Sequence, residues 1–264
     1  MLEWKEAVMI GKTLRRCSIC QRYTAAYLVE DPHLGTLHLC HACWTAHQES
    51  VNAAAHSTGV PGRAQAEALL AEGESLNPGP WVGHSRWVAE AAIRLAAHLP
   101  GLDPDTAFSL GLLHDIGRRE GPSDMRHALD GYRYLSGLGY GQAAQICLTH
   151  SHPIRNIHAA AGQWDIPPEE FRFVQTYLER VDYKDYDRLI QLCDALALPD
   201  GLCLIEKRLV DVALRHGFNE YTLDKWRAFL QLQRDFERIL GQSVYTFLPR
   251  VIENTFGVNS SHKI

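Results

Sequence analysis

From Trp81 onward, apolar residues recur at spacings of three and four, the period of helices that bury one face. The pattern predicts helices over 83–99, 104–117, 124–136, 140–149, 168–181, 186–197, 202–216 and 223–240, with no strand alternation between them. Asp103 followed by Pro104 supplies a cap and a first helical residue, Thr222 caps the last long helix, and Gly117, Gly137 and Gly217 are placed to end three others. Residues 81–256 therefore read as an all-α domain. The preceding stretch, 57–80, mixes turn residues with a short Ala/Leu/Glu run, as a linker with one helical piece would. Residues 1–56 follow another pattern, with two short strands around an Asp-Pro and a glycine turn and a helical run after Cys43. Residues 257–264 read as a frayed tail, and the fold class is mainly α.

Composition narrows the class without changing it. A chain of 264 residues with 46% hydrophobic content suits one large core plus a small satellite. A net charge of -5 argues against a surface built to hold nucleic acid, and favours a small-molecule partner. No apolar run has the length of a membrane span or signal peptide, so a cytoplasmic, membrane-free protein is expected. Among the cysteines, Cys147, Cys193 and Cys203 sit singly on apolar faces as buried thiols.

The other four form two Cys-x-x-Cys pairs, Cys17 with Cys20 and Cys40 with Cys43. Two such knuckles wrap one tetrahedral ion, and a four-thiolate site is closed, so a structural zinc is expected here. His38 and His41 are nearby substitutes. The layout resembles a zinc ribbon or treble clef, and its acidic balance favours packing or partner docking over nucleic-acid binding.

The stretch "GLLHDIGRRE", 111–120, sets His114 beside Asp115 directly after buried-helix residues. Imidazole and carboxylate make sense there if a cation offsets the cost of burying them. Adjacent residues on a helix point about 100° apart, so they reach one centre only near a helix end, or address two ions. Further donors lie on apolar faces: His84 with Val88, Ala91 and Leu95, and Asp194 with Leu189, Ile190, Cys193 and Ala197. His127 opens one helix and His150 closes another; His152 is a weaker candidate, and His98 and His158 read as surface or packing residues.

The order His84, then His114 and Asp115, then Asp194, resembles the HD superfamily of metal-dependent phosphohydrolases over about residues 81–200, with "HDIG" as its central motif. His127 and His150 match the extra histidines of members with a two-metal centre. The resemblance implies Asp115 bridging two divalent transition metals, with His84, His114 and Asp194 on one and His127 and His150 on the other. A bridging hydroxide would then attack phosphorus in line, and no protein nucleophile is needed. Iron or manganese is favoured by resemblance, with cobalt, nickel or zinc also compatible.

Arg118 stands where the family often has lysine, which assigns it to the catalytic machinery as a substrate phosphate ligand, with Arg119 as a lesser helper. Arg86, Lys184, Tyr183 and Tyr186 are further candidates for the site mouth, whereas 207–215, "KRLVDVALR", reads as a solvated face. The function implied is hydrolysis of phosphoester or phosphoanhydride bonds in a nucleotide or related small phosphorylated metabolite. The alternative is a nucleotide-sensing binding protein whose zinc module docks a partner. Phe229, Phe236, Ile239, Phe247 and Leu248 either pack on the domain or form a homodimer surface.

Overall fold

A computed structural model describes residues 8–9, 15–21, 25, 27–31, 35–45 and 59–258. The N-terminal part contains an antiparallel sheet of β1 (Val8–Met9), β2 (Tyr27–Asp31) and β3 (Gly35–Leu39), in that order. Val8 pairs with Leu28, and Tyr27 with Leu39. The two strands of the hairpin are those expected; β1 is additional. Residues 41–45 are helical, and the rest of the run expected to be helix after Cys43 lies outside the described residues. A small core of Cys17, Leu37, Leu39 and Cys40 holds this part together, with the Tyr27 and Trp44 rings stacked at 4.2 Å beside it.

The larger part is helical: α1 (Arg63–Leu76), α2 (Pro80–Ala96), α3 (Pro104–Leu113), α4 (Arg126–Gly137), α5 (Gly141–Thr149), α6 (Pro168–Arg180), α7 (Asp185–Asp194), α8 (Ile205–His216), α9 (Thr222–Leu240) and α10 (Val251–Phe256). The main core draws on α2, α3, α5, α7 and α9, and a second cluster joins α4, α5 and α6. A two-stranded ribbon, β4 (Ala197–Leu198) with β5 (Gly201–Leu202), links α7 to α8.

The segment expected to be a linker is part of this packing. Ala66, Leu69 and Leu70 of α1 are buried in the main core, because their spacing gives α1 an apolar stripe of its own. Asn77 Nδ2 donates to Arg118 O at 2.6 Å, and Arg119 pairs with Glu72 at 2.9 Å, tying α1 to the segment after the His-Asp pair. Phe229, Phe236 and Leu248 are buried on the domain as one alternative anticipated, but Ile239 is 59% exposed. Of the expected tail, residues 257–258 are described and the remainder lies outside the described residues.

Two glycines set how closely the site's elements approach. A Cβ on Gly111 would sit 2.9 Å from Ala89 Cα, so α3 rests backbone to backbone on α2. A Cβ on Gly117 would sit 2.0 Å from His127 O and 2.3 Å from Gly131 N, which brings the turn after Asp115 directly onto α4.

Candidate metal centre

The chain reconciles two adjacent ligands by leaving the helix between them. α3 ends at Leu113, His114 is its cap, and Asp115 adopts φ −105° and ψ 13° before a 3-10 turn over Ile116–Glu120. Helix 104–117 was expected to continue; it stops four residues early because a continuous helix would aim Asp115 away from His114. Gly117 therefore acts through close packing onto α4 and does not end α3.

His84, His114, Asp115, His127 and His150 are all buried, and their donors converge. His84, His114 and Asp194 each offer one ligand atom within 4.8 Å of the others, and so do His114, Asp115 and His150. His114 belongs to both groups. His127 Nε2 lies 3.0 Å from Asp115 Oδ1, and His150 Nε2 lies 3.5 Å from the same oxygen. His84 Nε2 is 3.0 Å from Asp194 Oδ1.

The imidazoles are aimed by the main chain. His114 Nδ1 hydrogen-bonds Gly111 O at 2.7 Å, His150 Nδ1 reaches Ile146 O at 3.2 Å, and His127 Nδ1 bonds Asp124 O. With Nδ1 donating in each case, Nε2 is the nitrogen left to face the carboxylates, the arrangement that orients metal-ligating histidines. His114 Nε2 is buried with no hydrogen-bond partner, an orphaned polar atom that a cation would satisfy. The donor set, the orphaned nitrogen and the burial fit a divalent ion.

Electrostatics agree with that fit. Burial keeps His150 neutral, pushing it down to about 4, and lowers His114 as well, so both are in the form that binds metal. Burial alone would raise Asp194, but the His84 hydrogen bond and the His84 and Arg208 charges hold it well below the carboxylate range. Arg118, His127 and His114 do the same for Asp115 against its own desolvation.

Arg118 Nε donates to Asp115 Oδ2 at 2.9 Å, which leaves Oδ1 facing the histidines. One cavity of about 170 Å³ is lined by Arg118, His84, Asp115, His127, His150 and Asp194, many times the space one water needs.

Other candidates fall elsewhere. Arg86 pairs with Glu74 at 3.5 Å and Lys184 pairs with Asp182, both on the surface and neither lining the cavity; each has a nearer carboxylate of its own. Arg119 is held by Glu72 and the face of Tyr134. Tyr183 donates to His152 O at 2.7 Å, and Tyr186 OH receives Asp103 N. His152 is fully buried beside Trp164, outside both ligand groups. His98 packs on Phe247, and His158 lies against Phe171.

The expected solvated face over 207–215 is the clearest departure. Arg208 is 14% exposed, reaches Asp194 Oδ1 at 3.5 Å and Asp211 at 3.3 Å, and lines the cavity with Arg215, His216 and Lys225. It flanks the buried stripe of Ile205, Leu209 and Ala213, a position that helical period alone does not distinguish from solvent.

Cys17, Cys20, Cys40 and Cys43 also bring one ligand atom each within 4.8 Å of one another, consistent with a zinc module. Ser18 N donates to His38 O at 2.6 Å, fixing the first knuckle to β3. His38 instead contacts Arg15 and His41 contacts Tyr27, so neither joins the thiols. Cys147, Cys193 and Cys203 are buried free thiols. Among the described residues, no helix is long and apolar enough to cross a membrane.

Residues 81–198 match the family model of the HD domain, which covers every histidine and aspartate of the two ligand groups. No curated protein and no solved structure matches the chain.

Proposed function

We propose, from the match of residues 81–198 to the HD domain, that the chain is a metal-dependent phosphohydrolase and cleaves phosphoester or phosphoanhydride bonds of a nucleotide or related small phosphorylated metabolite. The observation that carries this reading is the convergence of His127 and His150 on Asp115 Oδ1 beside the His84, His114 and Asp194 group, both groups opening on one cavity. We assign His84, His114 and Asp194 to one divalent ion and Asp115, His127 and His150 to a second, with Asp115 between them and iron or manganese as the metals. Bound there, such ions supply an acidified water as nucleophile and positive charge against the phosphoryl oxygens.

The protein's own groups do the rest. Asp115 and Asp194 stay ionised, so the centre attracts cations and repels unneutralised phosphate. Arg118 restores the balance at the cavity wall: its Nε is spent on Asp115, while its outer nitrogens, which make only long contacts to Ser123 O at 3.4 Å and His127 Nε2 at 3.5 Å, turn to a phosphoryl oxygen when substrate enters. The apolar packing under His114 and Asp115 excludes bulk water from the back of the site.

Phosphate release from a panel of nucleotides and sugar phosphates, with iron, manganese or no metal added, tests this. Metal-dependent turnover should fall by about a thousandfold or more in Asp115→Ala, several kcal/mol of lost transition-state stabilisation. A metallated wild type that binds nucleotides but releases no product would favour the sensing alternative.

A further inference from the structure

The cavity extends past the matched segment, and its outer wall comes from α8, α9 and the turn between them. Lys225 stands on that wall, half-buried, with its Nζ 6.0 Å from the Phe229 ring centroid. The neighbouring cations are already committed: Arg208 and Arg215 both pair with Asp211, and His216 Nδ1 lies 3.9 Å from Asp124. Among the described residues, Lys225 has no carboxylate within ion-pairing distance. Burial lowers it to about 8 even against the pull of the more distant Asp194 carboxylate, so the ammonium has lost water without a directly paired anion to replace it. Beside it, Phe218 is 71% exposed, with its ring centroid 5.9 Å from that of Trp226, and both rings line the same cavity. A large aromatic this exposed at the mouth of an ionic cavity leaves a face free beyond its contact with Trp226, on which a flat ring stacks.

We infer that α8, α9 and their connecting turn form the recognition half of the site, built for a nucleoside carrying at least two phosphates. Lys225 holds a phosphate other than the one at the metal centre, and Phe218 with Trp226 receives the base. Only the position of the reacting phosphate rests on the phosphohydrolase reading. The chain's labour is divided: residues 81–198 supply the candidate ion ligands and Arg118, and residues 205–240 select the substrate.

Calorimetric binding to the manganese-loaded full chain tests this without turnover, using α,β-methylene-ADP, AMP and inorganic pyrophosphate. Wild type should bind methylene-ADP about tenfold or more tightly than AMP, the strength of a charge-assisted hydrogen bond. Lys225→Gln should lose that preference while Lys225→Arg keeps it. Phe218→Ala should weaken both nucleotides by about tenfold and leave pyrophosphate unchanged. Equal wild-type affinity for AMP and methylene-ADP, failure to bind either, or equal weakening of both by Lys225→Gln would overturn the inference. A chain that shows the Lys225-dependent preference but hydrolyses nothing would keep it and defeat the hydrolase reading instead.

Discussion

His114, His127 and His150 each spend Nδ1 on a carbonyl oxygen one helical turn back, so backbone that is already fixed sets the direction of Nε2. The histidines and aspartates that the fold brings within ligand distance were legible in the sequence as candidates because a buried histidine or aspartate on an apolar stripe is costly unless something compensates it. Arg208 and Lys225 were not, because a cation on an amphipathic helix is ordinarily solvated, and only the tertiary packing of α8 and α9 turns these two inward. Arg86 and Lys184 show the converse: cations near the motif in sequence that pair with Glu74 and Asp182 at the surface. At this scale the pH dependence of the metal-free protein follows. Burial holds His150 at about 4 and His152 well below 6.5, so the unfolded chain takes up these protons first. This contribution to stability is therefore full above about 6.5 and is lost as the pH falls toward 4. Urea midpoints of chelator-treated protein at pH 7.5 and 5 should show the decline, and His150→Gln should flatten it; a midpoint that does not move would refute this cause.

Helices α2 to α9 were readable from periodicity, while the break after Leu113 was not, since the apolar run continues through Ile116 and only ligand geometry requires the turn. α1 was visible as a helix but not as core, because a short Ala/Leu stripe has the same pattern whether it packs on its own domain or bridges two. The contact between the 3-10 turn and α4 sets the spacing between Asp115 and His127, and Gly117 is its narrowest point. Gly117→Ala puts a methyl against His127 O and Gly131 N, backbone atoms that have no rotamer to escape through. The variant should lose about 3 kcal/mol of stability by denaturant titration and bind metal more weakly as α4 moves off. Gly137→Ala, with open space around its Cβ, should change stability by less than about 1 kcal/mol. Equal behaviour of the two variants would show that the close approach is not what positions His127.

The chain combines two candidate ion sites of different chemistry. Four cysteines of the N-terminal part cluster within metal-binding distance of one another, the donor set of a closed structural site, and histidines with carboxylates line an open cavity in the helical part. Among the described residues they share no ligand, so removing either ion set should leave the other in place. The most direct test of this account is the metal content per chain of the wild type, Asp115→Ala and Cys17→Ser, purified without oxygen and supplied with iron and manganese. One zinc and two further transition-metal ions are predicted for the wild type, with only the latter pair lost in Asp115→Ala and only the zinc lost in Cys17→Ser. A wild type that carries nothing beyond the zinc removed by Cys17→Ser would contradict the account at its centre.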